Sequence, residues 1–294
     1  MPIKKLVCSD KRLFFLLLFL TLVLPACQGS SPESEPAAVS SLASEVQLAV
    51  ASDDFEVGKS RLPIVLYAGT ERGAPAKKVS LMALDLSTDP PSQGWEGEAI
   101  NYEDYWIPYW VAYPQLPRAG YWGFRALITM EDGSQEQAQF TVQVMEHSSS
   151  PAVGSEAPAS QNRTLKTEPD IHNLSSGAEP NPGLYEMTVA EAISSGRPTV
   201  VVLATPGFCT SQLCAPVVDS VEAVYPEFKD RVNFIHLEIY KDFDPLVESD
   251  EVKEWKLSSE PWTFVLDRQG KVAAKFGGPL GSKELTESLS SLLP

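Results

Sequence analysis

Basic side chains are scarce in this chain. Twenty-three Lys and Arg stand against 39 Asp and Glu, a formal charge of −16. So acidic a surface repels phosphate backbones and anionic headgroups, which argues against nucleic acid as a partner and favours solubility. Long apolar runs are lacking too. Residues 13–24 form a clear one, yet twelve residues rise only about 18 Å as a helix, short of the ~30 Å hydrocarbon core. Cysteine is rare: four in 294 residues, at 8, 27, 209 and 214. No internal repeat occurs.

What is present at the amino terminus is a targeting signal. Lys4, Lys5, Lys11 and Arg12 precede the apolar run and Ala26-Cys27 follows it, the layout of a secretory signal over residues 1–26. "LPAC" at 24–27 resembles a bacterial lipobox, with Pro25 at that motif's tolerant position. An ordinary secretory signal is the alternative. The resemblance implies a lipid on Cys27 that anchors the chain to the outer face of the cell membrane without a transmembrane helix. Residues 27–45 read as a flexible tether. Cys8 is then discarded and Cys27 acylated, which leaves Cys209 and Cys214 in a compartment where disulfides persist. The two are expected to pair.

Residues 46–147 carry short β-type runs separated by turn signals, clearest at 61–67, 78–86, 121–130 and 139–145. In the third, Trp122, Phe124, Ala126, Ile128 and Met130 alternate with Tyr121, Gly123, Arg125, Leu127 and Thr129, a period of two. "EDG" at 131–133 supplies a turn. About seven such strands predict an all-β, immunoglobulin-like sandwich without the cysteine pair of antibody domains. Tyr102, Tyr105, Trp106, Tyr109, Trp110 and Tyr113 crowd one segment. They suit either core and edge packing or a ligand platform. A low-complexity stretch at 147–162 then separates two richer regions, and residues 148–183 read as linker and lead-in.

From 184 to 294 the rhythm changes to α/β. Thr188 with Glu191 forms a capping box, and 197–205 is a continuous β-branched run suited to a strand buried on both faces. Residues 215–228 have a helical pattern, 232–240 a second strand and 247–256 a further helix. A hairpin follows over 261–277, and Leu285, Leu289 and Leu292 share one face of a last helix. This βαβα–ββα order resembles the thioredoxin fold. The likeness rests on the cysteine pair after the first strand, Pro261 before the third, Gly270 in the hairpin turn and a redoxin-type lead-in, "AVGSEAPAS".

Residues five apart in a regular helix lie about 8.6 Å apart, beyond the ~7 Å that a disulfide tolerates. A bonded pair therefore puts Cys209 in the loop and Cys214 near the helix start, where Pro216 suits the first turn. The resemblance implies that Cys209 attacks and Cys214 resolves, opposite a cis Pro261 where Glu260, Pro261 and Phe208 meet the substrate. It further implies a thiol–disulfide oxidoreductase acting on extracytoplasmic protein thiols or disulfides, with no metal or organic cofactor. Departures stand out. Four residues separate the cysteines rather than two, Leu203 replaces a buried acid, and no basic residue occurs between Arg197 and Lys229. Two other readings stay open: a non-catalytic binding module with a structural disulfide, and a copper carrier using His236 or His172. A thiol peroxidase lacks its threonine three positions before Cys209 and its nearby arginine.

Overall fold

In the structure, a computed structural model that describes residues 46–293, the alternating runs of the first half become two facing antiparallel sheets. One has the order β1 (Val46–Val50), β2 (Leu62–Ala68), β6 (Tyr109–Ala112), β5 (Ile100–Tyr102). The other runs β8 (Gln135–Met145), β7 (Gly120–Met130), β3 (Ala76–Asp85), β4 (Ser92–Glu98), with Phe55–Glu56 pairing in parallel at its edge. The register places Phe124 opposite Phe140 on one side and Ala83 on the other. As the period of two predicts, Trp122, Phe124, Ala126 and Ile128 are buried, and they pack with Leu62, Ile64 and Leu66 of β2. The signal segment, Cys27 and the tether over 27–45 lie outside the described residues. Among the described residues no helix is long and apolar enough to cross a membrane.

The five residues from Leu62 to Leu66 are all buried, so β2 is covered on both faces. Val65, Tyr109 and Val111 point into a second core shared with Leu280, Leu285 and Leu289 of the carboxy-terminal part. That core also takes up the aromatic segment. Tyr102, Tyr105 and Tyr109 are buried in it, Trp110 is buried in the sandwich core, and Trp106 alone of the six is largely exposed. Core packing accounts for Tyr102, Tyr105, Tyr109 and Trp110.

The carboxy-terminal part runs α1 (Val189–Ser194), β9 (Thr199–Ala204), α2 (Cys214–Phe228), β10 (Asn233–Glu238), a hairpin of β11 (Tyr240–Phe243) and β12 (Leu246–Glu248), α3 (Asp250–Glu254), β13 (Trp262–Leu266), β14 (Val272–Gly277) and α4 (Ser282–Leu292). Its sheet has the order β10–β9–β13–β14, with β9 parallel to β10 and antiparallel to β13. Every residue of β9 is buried because helices cover both faces. Val200, Val202 and Ala204 pack with α2 and α4, while Val201 and Leu203 pack with α1 and with Val252 and Trp255. The capping box forms as read: Thr188 Oγ1 accepts from the Glu191 N–H, and the Glu191 carboxylate accepts from the Thr188 N–H.

Two expectations are corrected. The helix expected over 247–256 is confined to Asp250–Glu254, because Leu246–Glu248 pairs with Tyr240–Phe243 instead and Ser249 starts the helix. The stretch 147–162 is not a free linker. Gly154 N donates to Val272 O at 2.7 Å, Ala157 N donates to Gly270 O at 3.0 Å, and Ser150, Ser160 and Asn162 are buried. Its small polar side chains satisfy buried groups: Ser160 Oγ accepts from Trp255 Nε1, and Asn162 Oδ1 accepts from the Val189 N–H. Polar composition here serves packing rather than solvation.

Where β1 meets the segment after β14, only glycine fits. Gly278 has φ +80°, and a Cβ there would lie 1.9 Å from Ala51 O. Gly278→Ala therefore combines left-handed strain with a backbone collision and should cost about 2 kcal/mol or more. A denaturant midpoint equal to that of the parent chain would refute this.

Candidate functional site

The strand β9 ends at Ala204, and Thr205 to Leu213 bridge it to α2. Gly207 lets this loop run close beneath another segment: a Cβ there would sit 2.8 Å from Ser176 O, and the Gly207 N–H donates to Ser176 Oγ at 2.9 Å. Ser176 is held in turn, its N–H and hydroxyl donating to the buried Glu238 carboxylate at 2.8 and 2.7 Å. Gln212 adopts φ +61°, which turns the chain into the helix. Cys209 thus lies in the loop and Cys214 is the first residue of α2, with Pro216 in its first turn. Five-residue spacing is reconciled with proximity by the turn rather than by the helix.

Both cysteines are free thiols, Cys209 partly exposed and Cys214 fully buried. The two sulfurs and a carboxylate oxygen of Glu260 all lie within 4.8 Å of one another. The Glu260–Pro261 peptide is cis and leads into β13, beside the end of β9. Cys214 hydrogen-bonds to the Cys209 sulfur, and this lowers the Cys209 pKa to about 5 against the opposing effect of burial. The Ser211 hydroxyl, 3.1 Å from Cys209 Sγ, and the N–H groups of Cys214 and Leu213 lower it further. Cys214 moves the other way, raised by the same sulfur–sulfur hydrogen bond and by burial. Burial and the Cys209 charge raise Glu260 as well. A nucleophile at a helix amino terminus, a protonated partner behind it and a half-buried carboxyl beside both can exchange disulfides.

Phe208 is 38% exposed and rests on the hairpin, with ring centroids 6.0 Å from Tyr240 and 5.4 Å from Phe243. Cys209, Cys214, Glu260, Pro261 and Phe208 therefore share one corner of the fold. His236 does not join them. It is buried, its Nε2 bonded to Ala204 O at 3.0 Å and its Nδ1 to the Tyr185 hydroxyl at 2.6 Å, and burial lowers its pKa. His172 is exposed, and no histidine belongs to the donor group around the sulfurs among the described residues.

Several neighbours were invisible to local pattern. The Tyr105 hydroxyl donates to Leu213 O at 3.1 Å, and Arg72 Nη2 donates to Gln212 Oε1 at 3.3 Å while its guanidinium lies over Trp106 at 5.3 Å. These groups come from the sandwich, more than 100 residues upstream. Ser211, two residues after Cys209 and 3.1 Å from its sulfur, is the neighbour whose adjacency in sequence could have flagged it.

No family model matches the chain. A curated relative, the thioredoxin-like protein HCF164 of Arabidopsis thaliana chloroplasts, is 29% identical over 102 residues, 35% of this chain and 36% of that one. The match thus spans about a third of the relative's length. Among solved structures, a DsbF homologue from Corynebacterium diphtheriae shares 17% identity at a TM-score of 0.30, covering 36% of this chain and 77% of its own. StoA from Bacillus subtilis shares 17% at 0.27, over 32% and 83%. CopC from Methylosinus trichosporium OB3b shares 16% at 0.25, over 34% and 92%. The sheet order and the curated relative together support a thioredoxin-like domain.

Proposed function

We propose that this chain is a membrane-anchored extracytoplasmic thiol–disulfide oxidoreductase, with Cys209 as attacking thiol and Cys214 as resolving thiol. Support comes from one arrangement above all: a partly exposed sulfur of low pKa within 4.8 Å of a buried, protonated one, beside a cis proline. Cys209 as thiolate attacks one sulfur of a client disulfide, forming a mixed disulfide and releasing the other client sulfur as thiolate. Cys214 gives up its proton and attacks Cys209 Sγ. The Cys209–Cys214 bond forms, the mixed bond breaks, and the second client sulfur leaves as thiolate, to be protonated. Two electrons pass from the dithiol to the client, and running the steps backward oxidises a client dithiol. No cofactor enters.

Phe208 and the backbone around Glu260–Pro261 flank the exposed sulfur and form the surface for an extended client segment. We assign residues 1–26 to a lipoprotein signal, Cys27 to the lipid anchor, 27–45 to the tether and 46–147 to an immunoglobulin-like sandwich. Residues 148–183 form the lead-in and 184–294 the thioredoxin-like domain.

The test is trapping. Incubated with a disulfide-containing test protein, Cys214→Ser should accumulate a mixed disulfide through Cys209, and Cys209→Ser should lower reduction to the buffer background. A Cys209–Cys214 bond that stays closed at strongly reducing glutathione poise would instead make the pair a structural staple and end the oxidoreductase assignment.

A further inference from the structure

We propose that the reduced site also binds a divalent metal ion of borderline softness, Zn2+ foremost, through Cys209 Sγ, Cys214 Sγ and one carboxylate oxygen of Glu260. Three donors of suitable chemistry already converge, all within 4.8 Å of one another. A tetrahedral ion with Zn–S about 2.3 Å and Zn–O about 2.0–2.2 Å requires donor separations of roughly 3.5–3.8 Å. From separations of up to 4.8 Å, contraction by about 1.3 Å at most satisfies it, within the reach of a loop and two rotamers.

The electrostatics point to a cation. The Glu260 carboxylate is half-buried, yet among the described residues it has neither a hydrogen-bond donor nor an ion-pair partner. What it faces are the two sulfurs, its oxygen within 4.8 Å of each, so that negative charges converge once the thiols ionise. Burying like charges together is costly unless a counter-charge joins them. A divalent ion between the three groups turns this repulsion into coordination.

Ligand type narrows the choice. Two thiolates alone satisfy a soft monovalent ion such as Cu(I), for which a carboxylate oxygen adds little; two thiolates with a carboxylate suit Zn2+. Among the described residues three such donors converge, which leaves a fourth position open and suits the site to exchange rather than to permanent structural metal. Binding displaces the Cys214 proton to solvent and changes no oxidation state. Metal and disulfide exclude each other, because oxidation consumes both thiolates and occupancy blocks Cys209 from attacking. Binding requires only a reduced pair that an ion reaches from the side of the partly exposed Cys209, and does not depend on turnover.

The experiment is a Zn2+ titration of the reduced, chelator-treated full chain against a chromophoric competitor, with Co2+ as a spectroscopic probe. One ion per chain and a thiolate-to-cobalt charge-transfer band are expected. Cys214→Ser and the disulfide form should lose binding. Glu260→Gln should weaken Zn2+ about tenfold or more while the chain keeps the far-ultraviolet circular dichroism of the folded parent. Equal Zn2+ affinity in Glu260→Gln would overturn the three-donor site, as would a stoichiometry other than one. A chain that binds Zn2+ in this way yet fails to trap a client would keep the metal site and lose the oxidoreductase function; the converse result would do the opposite.

Discussion

In the reduced, metal-free chain, alkylation of Cys209 should hold its plateau rate from pH 8 down to about pH 6 and fall tenfold per unit only below about 5. Cys214 should remain unmodified while the chain is folded. A free cysteine with pKa about 8.5 is roughly 3% thiolate at pH 7, whereas a pKa of about 5 makes Cys209 about 99% thiolate. That thirtyfold gain is offset by lower nucleophilicity: a Brønsted slope of about 0.4–0.5 over 3.5 units costs roughly 25- to 56-fold. At pH 7 the two sulfurs should therefore react at similar rates. At pH 5.5 the free cysteine is only about 0.1% thiolate, so Cys209 should be about twentyfold faster. The profile, not the neutral rate, is the signature. Ser211→Ala removes the hydroxyl 3.1 Å from the sulfur and should raise the inflection by about one unit, the worth of one hydrogen bond to a charged group. An inflection between pH 8 and 9 in the parent chain would sink the assignment of Cys209 as the poised thiolate. Because the folded pKa lies below the ordinary one, the thiolate stabilises the reduced chain increasingly as pH rises from about 5 towards 9. That gain vanishes as pH falls through about 5, and at neutral pH it shifts the pair toward the oxidising side.

Much of this corner was readable in advance because it depends on local chain geometry. The spacing of Cys209 and Cys214, with Pro216 two residues on, dictates a loop followed by a helix start, and the β-branched run before them demands a strand covered on both faces. Glu260-Pro261 was singled out by the resemblance to the thioredoxin fold, since a proline before a strand carries no such signal by itself. What escaped was carried by contacts across the chain. Nothing around Arg72 or Tyr105 signals that a sandwich loop will reach the cysteine turn, since no period or spacing links them. Val247 and Glu248, the last residues of the hairpin that supports Phe208, fall within the helix expected over 247–256, because a three-residue strand carries too little periodicity to be told from a helix start. The serines of 147–162 looked like linker because composition does not reveal whether a hydroxyl faces water or Trp255 Nε1.

Arg61→Ala should cost about 3–5 kcal/mol of unfolding free energy, a large part of the 5–15 kcal/mol typical of folded proteins. Arg61, at the start of β2, forms a two-pronged pair with Glu284 of α4: Nε to Oε1 and Nη2 to Oε2, both at 2.8 Å. Its remaining donors reach Gly277 O at 3.0 Å and Pro279 O at 2.7 Å. Glu284 also accepts from the hydroxyls of Tyr109 at 2.7 Å and Tyr113 at 3.1 Å. Burial by itself would discharge the guanidinium, but attraction to Glu284 prevails and its pKa rises. The tyrosines stay neutral donors, since burial and then the Glu284 charge raise both. Removing the arginine leaves a buried carboxylate with only two neutral donors, and the cost of that stranded charge exceeds any lost packing. Arg61→Lys retains the charge without the fork and should fall between the two. Arg61→Met combined with Glu284→Leu removes both charges and should recover most of the loss, short of what Tyr109 and Tyr113 forfeit as donors. Urea midpoints of the four chains decide the matter, and a cost below about 1 kcal/mol for Arg61→Ala would show a pair already solvated. The consequence reaches the thiols. Gly277 and Pro279 flank Gly278, whose N–H donates to Pro261 O at 3.0 Å, so the clamp steadies the strand turn that holds Glu260 opposite Cys209. Arg61→Ala should therefore slow disulfide exchange while leaving the Cys209 alkylation profile in place, because it loosens the surface that receives a client and leaves the helix end that stabilises the thiolate untouched.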